Sequence, residues 1–275
     1  MNPRIKTLRI GVASCGIAAG AEAVQKKLEE LAGNVPVIGV GCLGCCYAEP
    51  MVEAVLDDGS GILYGNVAPE DVPGILELDE KKRFEMPPLR KEKQLIKVLA
   101  LAGKVDPIDF DDYLANGGYE GLKKALAMAP DAVVNEMKLS GLRGRGGGGF
   151  PTGNKWSFLA AKDAPEKILI CNADEGDPGA FMDRSLMESV PHQVLEGMLI
   201  AAHATGATKL FIYCRAEYPL AIKHLKIAIE QIYEHKLNVI DGRALDIIIK
   251  ECRVCLRARR SARSPRRIRR LRRPP

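Results

Sequence analysis

The sequence predicts an α/β protein of two unequal domains, on three observations. The chain has 275 residues, room for about two domains at roughly 100–200 residues each. Its first eighty residues run strand, helix, strand, strand, helix. After the segment 139–156, strands and amphipathic helices alternate in the pattern of a parallel sheet with crossover helices.

The elements follow in order. Residues 6–13 (KTLRIGVA) read as a strand. "GAEAVQKKLEELAG" spaces its apolar residues at helical period and stops at Gly33. "VPVIGVG" is a short β-branched run, a buried strand. "PMVEAVLDDGSGILYGNV" reads as two strands joined at Asp-Gly-Ser-Gly, and "APEDVPGILELDEKK" as a closing helix. Together they predict a small α/β sandwich over 1–80. Residues 81–116, charged and Pro-bearing, suit a connector. "GGYEGLKKALAMAPDAVVNEMKLSG" supplies two helices with Gly141 as terminal cap, and "KILICNADEGDPGAF" opens the larger domain's sheet. This second domain is predicted over 117–250. No internal repeat is visible.

Totals exclude several classes. A 47% hydrophobic fraction is ordinary for a folded domain. No apolar run reaches the roughly 18 residues a membrane helix needs, and "MNPRIKTLRIGVASCG" reads as a first strand, not a signal peptide. The expectation is a cytoplasmic protein. Eight cysteines in such a chain are then ligands or buried thiols, not a disulfide scaffold; Cys171 and Cys214 are expected to be small buried residues. Residues 251–275 hold eleven arginines against one glutamate, so the +10 there turns the +5 of the whole chain into −5 for the first 250 residues. The body is mildly acidic and the basic pI belongs to one tail.

The segment "LSGLRGRGGGGFPTGNKW" carries seven glycines. Bare backbone N–H groups form anion-binding concavities, and a following helix N-terminus adds to them. Arg145 and Lys155 add full charge. A phosphate cradle and a flexible linker both remain open. The Walker pattern fails, since no Gly-Lys-Ser/Thr is present. Gly144, Gly146 and Gly149 satisfy G-x-G-x-x-G, yet a dinucleotide fingerprint needs a strand immediately before it, and "NEMKLSGL" reads as a helix end. A second stretch favours the cradle: "ILICNADEGDPGAF" puts Asn172, Asp174, Glu175 and Asp177 directly after a strand, where α/β sheets bind ligands. These acids read either as a solvated loop or as acceptors for sugar-like hydroxyls.

The two stretches resemble the FMN- and NADH-binding subunit of respiratory complex I. They are more similar still to the diaphorase subunits of NAD-dependent, often electron-bifurcating, hydrogenases and formate dehydrogenases, in which "DEGDPGAFMDRS" is typical. "GGYEGLKKAL" and "RAEYPLAI" resemble the same family in the same order, and the resemblance covers roughly 100–250. It implies a Rossmann-like parallel-sheet FMN-binding domain, here incomplete. It implies that Gly144, Arg145, Gly146, Gly147, Gly148, Gly149 and Lys155 hold FMN by its phosphate side, and that Asn172, Asp174 and Glu175 bond the flavin and its ribityl chain. Phe150 and Phe158 are then expected to stack near NADH, with Asp177 toward the nicotinamide; Trp156 is expected in the core. The implied reaction passes a hydride from NADH to FMN and single electrons to iron–sulfur centres, with no catalytic acid or base from the protein.

The first eighty residues resemble the thioredoxin-like ferredoxin domain found with these diaphorases, whose [2Fe–2S] cluster takes four thiolates from C-x4-C and C-x-G-x-C. Cys42 and Cys46 match the second pair around Gly44. Of the first pair, Cys15 is present and Gly20 stands in its partner's place; Cys45 is an extra thiol that could substitute. A cluster-free docking domain is the expectation favoured.

In the family, the strand ending "LDIIIKE" continues into further flavin contacts, a ubiquitin-like domain and a [4Fe–4S] bundle. Here the resemblance stops at Glu251, and the Arg-rich tail 251–275 is expected to be an out-of-frame or mis-joined end. Its Cys252 and Cys255 form one C-x2-C with no second pair, a weak zinc signal. The implied partners are NADH and the iron–sulfur subunits of a hydrogenase, formate dehydrogenase or complex I-like assembly, with neither membrane nor nucleic acid expected. A non-catalytic docking or polyanion-binding fragment is the alternative.

Overall fold

The computed structural model describes residues 4–87, 95–177 and 179–252. The tail 253–275 and the side chain of Cys252, and with them the C-x2-C reading, lie outside the described residues.

The N-terminal part is a four-stranded sheet in the order β2-β1-β3-β4, built from β1 (Ile5–Gly11), β2 (Val37–Val40), β3 (Val52–Leu56) and β4 (Gly61–Tyr64). β1 pairs parallel to β2 and antiparallel to β3, and β3 pairs antiparallel to β4. Period-2 alternation puts Leu8, Ile10, Val52 and Ala54 on one face. Against it lies α2 (Ala21–Leu31), which presents Ala21, Val24 and Leu28 at helical spacing. Full burial of Leu8, Ile10 and Leu28 contributes about 1.5–3 kcal/mol each. A short α1 (Ser14–Ala18) precedes α2, and α3 (Val72–Leu76) closes the layer.

The C-terminal part carries a three-stranded, wholly parallel sheet in the order β5-β6-β9, from β5 (Ile168–Ala173), β6 (Lys209–Arg215) and β9 (Asp246–Cys252). The mixed α/β class and the parallel sheet with crossover helices are thus as the sequence predicts. Leu210, Ile212 and Cys214 on the central strand are fully buried. They share one core with α9 (Pro191–Thr205) and α10 (Pro219–Glu234). In the hairpin of β7 (Val239–Ile240) and β8 (Arg243–Ala244), the Asp241-Gly242 turn has both residues at positive φ, 50° and 73°. That geometry is what a two-residue hairpin requires.

Two helices bring the glycine segment to this sheet. α6 (Pro130–Leu139) ends just before it and α7 (Thr152–Ala160) starts just after. They cross closely at Gly153, where a Cβ would stand 2.6 Å from the Lys138 backbone nitrogen. Trp156 packs beside Val133, Val134 and Ala204, as expected of a core residue.

The segment read as a connector contributes more than a link. α4 (Phe110–Ala115) buries Phe110 and Tyr113 in the larger core, next to α5 (Glu120–Leu126). The Glu196 carboxylate of α9 accepts from Tyr113 Oη at 2.7 Å and from the Tyr119 and Leu122 N–H groups at 3.0 and 2.9 Å. Aromatic residues in a charged stretch were the available signal, masked by the prolines and aspartates around them.

Candidate flavin-binding site

The glycine segment is a loop with a pinned neck. Arg143 and Pro151 form an antiparallel bridge; Gly144 N–H donates to Phe150 O at 2.9 Å and Thr152 N–H to Leu142 O at 2.8 Å. Arg143 closes the turn through Gly149 O at 3.3 Å. Within it, Gly147 and Gly149 adopt φ of 96° and 57°, which glycine reaches without steric cost. Among the described residues, the N–H groups from Arg145 to Gly149 donate no backbone hydrogen bond.

This loop faces the segment after β5 across a cavity of about 720 Å³. Gly144, Arg145, Gly146, Gly148, Gly149, Phe150 and Lys155 line one side; Asn172, Asp174, Glu175 and Asp177 line the other. Eleven of the residues singled out from the sequence therefore converge on one cavity, though the two groups are separated by a helix. Gly147 and Phe158 are not in its lining; Phe158 is 60% exposed, with its ring 6.2 Å from that of Phe150. Gly176, Ala180, Met182 and Asp183 line the cavity as well. All four lie in or beside the "DEGDPGAFMDRS" stretch. The first three have small or flexible side chains, types that single-residue chemistry does not pick out, whereas Asp183 is a further acid in the same stretch.

The acids do not behave alike. Glu175 is buried, and its carboxylate sits on the N-terminus of α8 (Met182–Ser189). Oε1 accepts from Met182 N–H at 2.7 Å and Asp183 N–H at 3.3 Å, and Oε2 accepts from Arg184 N–H at 3.4 Å and Tyr218 Oη at 3.2 Å. This carboxylate neutralises the positive helix end, and Arg215 donates to the Glu175 carbonyl. Asn172 Oδ1 accepts from Asp174 N–H at 3.2 Å, shaping the turn after the strand. Burial, and then the Glu175 charge, hold the Asp183 carboxyl above its ordinary value.

In the N-terminal part, the sulfur atoms of Cys15, Cys42 and Cys46 lie within 4.8 Å of one another. Cys42 and Cys46 are 3.6 Å apart, with Gly44 N–H donating to Cys42 Sγ at 3.1 Å. Cys45 stands outside this group: its buried thiol lies 3.6 Å from Met86 Sδ in an apolar cluster with Ala48 and Met51. Cys45 is thus not one of the three sulfurs that lie together. Burial pushes the Cys171 and Cys214 thiols up to about 11; Cys214 is buried as expected, whereas Cys171 is only half-buried.

Comparison with known proteins bears directly on this cavity. Residues 137–256 match the Nuo51 FMN-binding domain family. The family resemblance carried by the two motifs is borne out. The NADP-reducing hydrogenase subunit HndC of Solidesulfovibrio fructosivorans is 53% identical over 147 residues, 54% of this chain and 30% of that protein. An NADH-quinone oxidoreductase subunit of Aquifex aeolicus is 44% identical over 146 residues, covering 53% and 34% of the two chains. Its Escherichia coli namesake is 46% identical over 130 residues, covering 46% and 29%. A solved NAD+-reducing [NiFe]-hydrogenase in the H2-reduced state aligns over 91% of this chain and 43% of its own, at 25% identity and a TM-score of 0.46. The chain spans about a third of the length of the curated relatives it matches.

The cavity fits a phosphate-bearing flavin on its own geometry. A Cβ built on Gly146, Gly147 or Gly148 would meet nothing within 4 Å. The backbone there is bare toward open space, with unbonded N–H donors and two cations beside it. Lys155 Nζ lies 6.0 Å from the centre of the Phe150 ring and 3.7 Å from a Cβ placed on Gly144, over the mouth of the loop. Such a nest offers directed donors and positive charge to an anion. Among the described residues, no helix is long and apolar enough to cross a membrane.

Proposed function

We propose that this cavity holds FMN and that the chain is the NADH-oxidising module of a larger iron–sulfur assembly. The loop N–H groups from Arg145 to Gly149, with Arg145 and Lys155, take the phosphate. Asn172 and Asp174 take the ribityl and ring edges, while Glu175 acts from behind, holding the start of α8 against the ligand. Phe150, Phe158 and Asp177 form the approach for NADH. FMN supplies the redox chemistry: it accepts a hydride and returns electrons singly. The protein binds, orients and shields, and needs no acid or base. The observation that carries the reading is the pinned glycine loop facing the acidic turn after β5 across a single cavity. The relatives' names add that such modules serve hydrogenases and NADH-quinone oxidoreductases, so iron–sulfur subunits of that class are the proposed electron acceptors. A cytoplasmic setting is part of the same proposal.

We further read the N-terminal part as thioredoxin-like. The order β2-β1-β3-β4, with a parallel first pair and an antiparallel second pair, supports this. The chain's proposed domains are residues 1–80 and 117–250, with α4 of the intervening segment packed into the core of the larger one.

Titrating the full chain with FMN tests the reading through quenching of flavin fluorescence. One saturable site is expected, and R145A or K155A should weaken FMN by about ten- to a hundredfold, the worth of a charge-assisted hydrogen bond. Riboflavin, which lacks the phosphate, should be insensitive to both changes. Absence of saturable FMN binding, or equal losses for riboflavin, would overturn it.

A further inference from the structure

The three gathered thiols are one short of the four that a [2Fe–2S] cluster requires, and their spacing differs from what two irons demand. A two-iron cluster divides its thiolates between metal centres, so the two pairs stand further apart than thiolates on one ion. Here all three sulfurs lie within 4.8 Å of one another, and the Cys42–Cys46 separation is 3.6 Å. A tetrahedral ion with metal–sulfur bonds of about 2.3 Å holds its sulfurs about 3.8 Å apart. The trio thus forms one triangular face around a single centre.

A carboxylate stands beside that face. Glu49 is 6% exposed, and its Oε1 lies 3.8 Å from Cys15 Sγ. That oxygen is not among the ligand atoms that all lie within 4.8 Å of one another, so Glu49 borders the trio at Cys15 without completing it. Oε2 is fixed by Met51 N–H at 2.9 Å, which orients the group. Glycine makes the approach feasible: a Cβ on Gly11 would sit 2.9 Å from Glu49 Oε2. Three soft thiolates with a fourth position open to water suit zinc, which imposes no geometric preference of its own.

We propose that Cys15, Cys42 and Cys46 bind a single zinc ion that ties α1 to the loop after β2, with water in the fourth position beside the exposed Cys46. Binding displaces the three thiol protons to solvent and leaves the oxidation state of every partner unchanged. The site is independent of the flavin reading, because no ligand is shared with the cavity.

The experiment uses the full chain, reduced, stripped with chelator and titrated anaerobically with Zn2+ and Cd2+. One metal per chain is expected, with a cadmium–thiolate absorption of three-thiolate intensity. C15S, C42S and C46S should each weaken binding by at least about tenfold, the scale on which even outer ligand partners act. C45S should bind like the parent and serves as the folding control, with far-UV circular dichroism on every variant. Two irons with two acid-labile sulfides per chain would overturn the proposal. So would a Cys42–Cys46 disulfide that excludes metal, or a two-thiolate cadmium band. FMN titration on the same samples reports separately on the flavin reading.

Discussion

Ser14 and Glu188 meet across 174 residues of chain: the serine N–H donates to Oε2 at 2.9 Å and its hydroxyl to Oε1 at 2.5 Å. Glu188 is 2% exposed and ends the helix whose first turn lines the cavity; Ser14 opens α1 and precedes Cys15. Beside this pair Gly41 presses on Ser189, where a Cβ would come within 2.1 Å of that side chain. One contact therefore fastens the N-terminal sheet to the helix that borders the candidate flavin site. S14A, which deletes a hydrogen bond to a buried carboxylate, should cost about 1.5–3 kcal/mol, read as a lower midpoint in urea unfolding. An unchanged midpoint would show that the two parts do not stabilise each other here.

The loop glycines separate folding from binding. Gly146 and Gly148 have no left-handed φ, and an added Cβ at either meets nothing within 4 Å. G146A and G148A should leave unfolding free energy within about 0.5 kcal/mol of the parent. The new methyl groups occupy the space the flavin phosphate would need, so FMN affinity should fall at least about tenfold, or 1.4 kcal/mol. Unaltered FMN titrations in both variants would remove the loop from the binding surface.

Glu175 is expected to act through structure. Replacing it by Gln keeps the shape and removes the charge from the helix N-terminus, where it accepts three backbone N–H groups. E175Q should lower stability by about 1–3 kcal/mol, measured by thermal unfolding without flavin. Tyr218→Phe, which removes one longer bond at 3.2 Å, should cost about 0.5–1.5 kcal/mol. Full stability in E175Q would instead make this carboxylate available to a ligand.

Two buried histidines set an acid limit. Burial lowers the His192 and His224 values below the ordinary range. His192 takes the Tyr119 hydroxyl at 2.8 Å on Nδ1 and faces Gln231 Oε1 at 2.9 Å through Nε2, with His235 adding repulsion against protonation. Glu196 holds the neighbouring Tyr113 and Tyr119, and its charge faces the same cluster. His224 Nδ1 donates to Glu188 O at 2.8 Å, and Asp106 opposes the shift from its side. Because the unfolded histidines protonate near about 6.5 and the folded ones below that, the unfolded state binds more protons as pH falls. Stability is full above the unfolded value and is lost toward the lower folded values. Denaturant unfolding between pH 5 and 7.5, about the range in which histidine titrates, should show this decline, and H192N should flatten it. A decline of equal slope in H192N would assign it elsewhere.

Much of the site was legible because its parts are written as contiguous stretches. Seven glycines next to Arg145 and Lys155, and three acids after a β-branched strand, announce backbone exposure and carboxylate placement without any tertiary information. The strand and helix periods likewise foretold the parallel sheet, since Leu210, Ile212 and Cys214 alternate on β6 and Ala221, Leu225 and Ala228 recur along α10. Phe110 and Tyr113 were read as linker because local composition is silent on burial that comes from α9.

The chain's own order of residues determined which segments form strands, helices and an open glycine turn, since those depend on neighbours a few positions apart. Folding alone decided that Glu175 caps a helix seven residues on, that Cys45 points into an apolar cluster while Cys15 joins Cys42 and Cys46, and that Ser14 finds Glu188. Those outcomes depend on which side chains the packed sheets bring within hydrogen-bond or ligand distance, and separation along the chain does not encode distance in space.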